Sequence, residues 1–389
     1  MSADLGLVDR VRSRLLTESR VPTAADVARA LRADGVLLGP DALLAEAERV
    51  HGELVGAGPL TALLRDPRVT DVLVTDPAHV WVDRGAGVEL TDVTFADDPA
   101  VRRLAQRLAA ACGRRLDDAS PWVDGRLADG TRLHAVLAPV ARSGTALSLR
   151  VPRRRAFSLD ELVGLGSVPA SVAPWIRAVV DARLSVLVTG GTGTGKTTWL
   201  AMLLGLVDPR ERLVVVEDSA ELDPDHPHVV RLEARPPNIE GVGAVTVRDL
   251  VRQSLRMRPD RVVVGEVRGG EVVDLLAAFN TGHEGGWATV HANSAADVPA
   301  RVEALALAAG LDRAAAHAQL AAGVDAVLHL ARDARGDRHW SSIAVADRVE
   351  GWTVMVDAIT RVGGRPVRGP AFDRLRLRLG ERAPTEEPW

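Results

Sequence analysis

The sequence predicts an α/β protein in which a parallel-core sheet fills the larger C-terminal part, behind a smaller α+β domain and a helical N-terminal segment. Three observations carry that expectation. From Pro169 onward, apolar runs of strand length alternate with helical periods. Between Leu60 and Arg150, strand-sized runs surround one helical stretch without that alternation. Finally, Gly190-Gly191-Thr192-Gly193-Thr194-Gly195-Lys196-Thr197 has the G-x-x-x-x-G-K-[ST] spacing of a phosphate-binding loop and falls between a predicted strand and a predicted helix.

From the N-terminus, residues 1–56 read as short amphipathic helices. Thr23 with Asp26 three residues on marks an N-cap, Gly35 a stop, and Pro40 the first turn of a helix to about Leu54. Residues 57–150 make the α+β domain, with strands expected at Asp71 to Thr75, His79 to Asp83, Leu133 to Leu137 and Ala146 to Arg150, and a helix from Asp98 to Cys112. Val151-Pro152-Arg153-Arg154-Arg155-Ala156 breaks the pattern with a proline and a basic run, so 151–168 reads as a linker. In 169–362, strands are expected at Leu184 to Thr189, Leu213 to Val216, Val262 to Val264, Ala288 to Val290 and Ala326 to Leu330. Lys196 to Leu206 should be helical, and Thr246 with Asp249 and Ser294 with Asp297 open helices to Met257 and Ala309. This order puts each polar motif just past the carboxyl end of a strand, where open parallel sheets bind ligands. Beyond about Gly363 the chain is polar with Arg and Pro, and 363–389 is expected to be a poorly ordered tail.

At 389 residues, 47% hydrophobic and 26% charged, the chain is long enough for two domains with separate cores. No apolar run approaches a membrane span, and Met1-Ser2-Ala3-Asp4 lacks the layout of a signal peptide, so a cytoplasmic protein is expected, touching membrane only through partners. The lone Cys112 excludes an internal disulfide and a paired-cysteine zinc site, and reads as a small apolar residue. A net charge of −4 and 3% aromatic residues argue against a basic, base-stacking channel, so no nucleic-acid partner is expected.

Lys196 is the only lysine among 48 basic side chains. A phosphate loop needs a compact ammonium on a flexible stem, which a planar guanidinium does not replace. The loop glycines allow backbone N–H groups to converge on phosphate oxygens, the helix N-terminus favours negative charge, and the Thr197 hydroxyl can hold Mg²⁺, with Thr198 placed for a further phosphate contact. Hydrolysis of ATP also needs carboxylates for the metal and the attacking water. Two clusters offer them: Glu217, Asp218 and Glu221 directly after one strand, and Glu266 closing the apolar run Arg261 to Gly265. The first reads equally as a solvated acidic loop; Glu266 is favoured, because a carboxylate ending an apolar strand is costly without a partner. His283 and His291 bracket a short strand and can contact phosphate or stand as structural histidines.

Together these residues resemble a known family. Gly190 to Thr198, Glu217 to Glu221, Leu255 to Glu271 and Thr281 to Ser294 are similar to the Walker A, Asp box, Walker B and His box of type II/IV secretion ATPases. Ser120 to Leu127 and Glu233 to Gly241 most resemble the tight-adherence (Tad/Flp) pilus assembly branch, CpaF-like. The resemblance implies a RecA-like P-loop NTPase domain, ATP and Mg²⁺ as ligands, and a homohexameric motor. That motor would work with inner-membrane platform proteins of a pilus or secretion system; a type IV secretion or conjugation ATPase is the alternative, ahead of a DNA translocase or a non-hydrolysing scaffold. It implies Glu266 or Glu217 as the group acting on water, Asp218 and Glu221 as tuning the metal's water shell, and His291 and His283 as sensing the γ-phosphate. Arg126, Arg132 and Arg150 match the arginines that the family's N-terminal domain lends to the nucleotide. Trp287 and Ser219 depart from the family pattern; Gly265-Glu266 stands where the usual Walker B strand ends in an aspartate.

Overall fold

The computed structural model describes residues 23–389 except 37, 40, 45, 48, 49, 51–55, 86, 152–155, 236, 238–241, 283, 284 and 334. The chain divides into two compact units, 1–154 and 155–389.

In the first unit, helix α1 (Ala24–Ala33) opens with a capping box: the Thr23 hydroxyl accepts from the Asp26 N–H and the Asp26 carboxylate accepts from the Thr23 N–H. Of the helix expected from Pro40 to Leu54, residues 40, 45, 48, 49 and 51–54 lie outside the described residues. A short helix α2 (Thr61–Arg65) leads into a six-stranded antiparallel sheet made of β1 (Asp71–Asp76), β2 (His79–Asp83), β3 (Val88–Leu90), β4 (Trp122–Arg126), β5 (Arg132–Val136) and β6 (Ala146–Arg150). Their order is β3-β2-β1-β6-β5-β4. Alternate residues are buried, as in a sheet with one face on a core and one in water. Helix α3 (Asp98–Ala111) supplies that core with Val101, Leu104, Ala105 and Leu108 at helical spacing. Cys112 caps α3 and is half-buried; burial pushes its thiol above the usual range. It lies so close to β4 that a side chain at Gly125 would meet its sulfur at 2.8 Å.

The second unit is built on a nine-stranded sheet. Its strands are β7 (Val186–Gly190), β8 (Leu213–Glu217), β9 (Val229–Glu233), β10 (Arg261–Val267), β11 (Trp287–His291), β12 (Ala326–Arg332), β13 (Arg338–Val349), β14 (Trp352–Val362) and β15 (Arg365–Arg368). In the order β15-β14-β13-β12-β7-β11-β10-β8-β9, the six strands from β12 to β9 are parallel, and β13 to β15 extend the sheet antiparallel. Every residue of β7 and β8 is buried, which is why both read as unbroken apolar runs. The covering helices are α4 (Leu159–Gly164), α5 (Ala173–Asp181), α6 (Lys196–Leu204), α7 (Val247–Ser254), α8 (Glu271–Phe279), α9 (Val298–Ala308), α10 (Arg313–Gly323) and α11 (Phe372–Leu379). Trp199 to Leu204 are all buried, so α6 runs through the core as an apolar helix.

Two expectations are corrected here. The stretch 151–168 is not linker throughout: from Leu159 it forms α4, whose Leu159 and Leu162 join the core under β7. The tail expected over 363–389 is folded. Strand β15 pairs with β14, and Phe372, Leu375 and Leu379 of α11 are buried at a spacing of three and four. The Phe372 ring lies 5.0 Å from that of Trp175 and 4.6 Å from that of Trp389. The arginines at 374, 376 and 378 gave this segment a polar composition that masked the apolar stripe.

Candidate functional site

The P-loop begins where β7 ends. Gly190 adopts φ +154°, and a side chain there would meet the Leu330 carbonyl oxygen and the Thr194 hydroxyl, each at 2.6 Å, so no other residue fits. Gly193 and Gly195 take φ +72° and +90°, and Gly195 caps α6, so that Lys196, Thr197 and Thr198 form its first turn with their N–H groups unpaired by the helix. The Thr194 hydroxyl donates to the Gly191 carbonyl at 2.9 Å and holds the loop closed. Lys196 Nζ donates to the carbonyls of Gly190 and Gly191, both at 3.1 Å, which keeps the ammonium folded over the loop. Burial draws the Lys196 pKa below its ordinary value, with the negative charge of Glu266 opposing that fall.

The two candidate glutamates have different environments. Glu217 ends β8, is 4% exposed, and its Oε1 accepts the N–H groups of Glu221 at 2.9 Å and Leu222 at 3.0 Å. It therefore shapes the loop that follows β8. A side chain at position 265 would lie 2.6 Å from Glu217 Cγ, so Gly265 is the clearance that the neighbouring strand leaves for this carboxylate. That accounts for the glycine of the Gly-Glu pair. Glu266 is more open, with 27% of its side chain exposed. It faces a cleft of about 550 Å³ lined also by Asp218, Arg248, Arg268, Glu271 and Ala309. Arg268 Nε donates to Glu266 Oε2 at 2.9 Å and its Nη1 to Asp218 Oδ2 at 3.0 Å, clasping the two carboxylates together. Asp218 is exposed within this clasp; Glu221 is exposed too, and its charge also acts on Arg268. The Glu271 carboxylate accepts the N–H groups of Arg268 and Gly269, at 2.6 and 2.7 Å, and fixes the turn that presents the clasp.

His291 closes β11 and is paired in register with Gly190, as Leu330 of β12 is on the other side. The parallel sheet thus brings Gly190, Lys196, Glu266 and His291 to its carboxyl edge. His283 lies outside the described residues. Trp287 is fully buried at the start of β11, four residues before His291, so this departure from the family pattern sits about 13 Å along the strand from the carboxyl edge.

In the first unit, Arg126, Arg132 and Arg150 are directly paired neighbours on β4, β5 and β6. Paired antiparallel residues share a face, so the three guanidiniums form one row, which continues to Asp71 on β1. Arg126 Nε donates to the Gly130 carbonyl at 3.3 Å within this arrangement.

Reasoning from sequence missed Arg268, Glu271 and His329. Arg268 and Glu271 stood inside a recognised motif but carried no assigned role. His329 is a polar residue in the middle of an otherwise apolar buried strand, and that was the available signal.

The chain matches the family described as "Type II/IV secretion system protein" over residues 53–353. A Mycobacterium tuberculosis (strain CDC 1551 / Oshkosh) protein provisionally named a conjugal transfer protein is 58% identical over 330 residues, covering 83% of this chain and 93% of that one. The conjugal transfer protein TrbB of Rhizobium radiobacter is 31% identical over 285 residues, 72% of this chain and 84% of its own. Among solved structures, the ADP-bound pilus retraction motor PilT shares the fold at a TM-score of 0.55 and 19% identity, over 75% of this chain and 83% of that one. No described helix is long and apolar enough to cross a membrane. The chain belongs to the type II/IV secretion system protein family, and the P-loop on its RecA-like sheet makes it an ATPase of that family.

Proposed function

We propose that this protein is a ring-forming Mg-ATP hydrolase that powers a type IV secretion or conjugal-transfer apparatus from the cytoplasmic face of the inner membrane. The observation that carries the reading is the grouping at one sheet edge of a phosphate loop, its lysine and an accessible carboxylate, Glu266. The names of the relatives at 58% and 31% identity favour conjugal transfer over the tight-adherence pilus as the apparatus. The pilus reading stays as the second, supported by the likeness of Ser120 to Leu127, part of which forms β4.

The backbone N–H groups from Gly193 to Thr198 and Lys196 Nζ bind the β- and γ-phosphates. Thr197 is the residue that would hold Mg²⁺, which when bound neutralises phosphate charge. Glu266 orients and deprotonates the attacking water once its bond to Arg268 is exchanged. Glu217 holds the loop carrying Asp218 and Glu221. His291, beside Gly190, senses the γ-phosphate, and His283 is assigned the same task from its motif alone. Arg126, Arg132 and Arg150 supply cationic stabilisation as arginine fingers in the assembled homohexamer. Its partners are inner-membrane platform proteins of the apparatus, and nucleic acid is not among them.

The test is phosphate release with Mg-ATP across a protein concentration series, with light-scattering mass read on the same samples. Turnover that rises with assembly to six subunits supports the motor. Tight nucleotide binding without turnover at any mass points to a scaffold, and stimulation by DNA points to a translocase.

A further inference from the structure

The first five residues of β12, Ala326-Val327-Leu328-His329-Leu330, are all buried, with one ionisable ring among four apolar side chains. His329 is 6% exposed, and such a ring is costly to bury unless its nitrogens find partners. In the parallel register His329 stands beside Thr189 of β7, the residue before Gly190, and its Nδ1 lies 2.9 Å from the Thr189 hydroxyl, itself fully buried. The Asn293 backbone, two residues past His291, also acts on the ring, raising its pKa against the effect of burial. Strand β7 lies between β12 and β11, and the imidazole stands at the carboxyl edge where the segment leaving β11 begins. It ties the root of the P-loop to the segment leaving β11.

We infer that His329 is a positioning residue for hydrolysis, coupling the P-loop to the His291–Asn293 segment so that His291 keeps a fixed place beside the phosphates. The inference rests on the ATPase activity, which wild-type turnover establishes separately. With Nδ1 accepting from the Thr189 hydroxyl, a neutral ring keeps one N–H, on Nε2, for a further acceptor. Burial holds the His329 pKa below the usual histidine range; Asp357 and Asp297 act against that shift and Lys196 with it.

The experiment uses the 389-residue protein and compares His329→Leu, which keeps bulk and removes both ring nitrogens, with His329→Gln, which can donate and accept. We expect His329→Leu to lower kcat by about 30-fold with KM within about threefold, the kcat-selective loss that a small misplacement of reacting groups produces. His329→Gln should recover at least about a third of wild-type kcat, because its amide offers both hydrogen-bonding functions. Equal loss in the two variants, an unchanged kcat in His329→Leu, or a defect confined to KM overturns the inference. If His329→Leu does not fold, Thr189→Val removes the same bond from the other side. A kcat-selective loss there supports the coupling, and wild-type kcat contradicts it.

Discussion

In the nine-stranded sheet, Lys196, Glu266 and His291 sit at or just past the carboxyl ends of parallel strands, whereas in the six-stranded sheet Arg126, Arg132 and Arg150 line up across three antiparallel strands. The difference follows from burial. Parallel strands covered on both faces leave only their ends for polar chemistry, so functional groups gather at one edge and each follows an apolar run. In the antiparallel sheet the row also stands at strand ends, with Arg126 and Arg150 closing β4 and β6 and Arg132 opening β5, but it is assembled by strand pairing and not by one local motif. The first arrangement is stored in local motifs, and the second in strand pairing.

Breaking each arrangement should have effects of different size. Lys196→Ala removes the one ammonium over the loop and should reduce phosphate release by about 1,000-fold or more, with the circular dichroism spectrum unchanged. Retained hydrolysis would remove the P-loop from the account. Arg132→Ala takes out the centre of the arginine row and should lower turnover by about 30-fold while leaving nucleotide affinity of the second unit in place. Wild-type turnover in that variant would reduce the row to a surface feature. Leu375→Ala, in the buried stripe of α11, should cost about 3 kcal/mol in urea unfolding and leave turnover per folded molecule as it was. Unaltered stability would mean that the C-terminal helix contributes nothing to the core.

Much of this was legible in the sequence, and the reasons are specific. Five of the six parallel strands were found because they are apolar runs, as at Val186 to Val188 and Val262 to Val264, next to recognisable loops, whereas β9, with no fully buried residue, was not. The β13–β14 hairpin was not found. Its strands carry Ser, Ala, Arg and Asp without clean alternation, and its two-residue turn, Glu350-Gly351, places a glutamate at φ +51°, where Asn or Asp is the usual marker. Helix α11 was hidden by its arginines. At the site, the motif placed Glu217 and Glu266 together but could not rank them on firm ground. Only the contacts separate a buried carboxylate bound to the N–H groups of Glu221 and Leu222 from an accessible one clasped by Arg268.

That separation is the centre of the account, and one measurement tests it most directly: phosphate release at saturating Mg-ATP by Glu266→Gln, read beside fluorescent-nucleotide binding on the same sample. Loss of the group that deprotonates water should lower kcat by about 100-fold or more with nucleotide binding retained. Hydrolysis at the wild-type rate in Glu266→Gln would contradict it and move the search for the catalytic base elsewhere at the sheet edge.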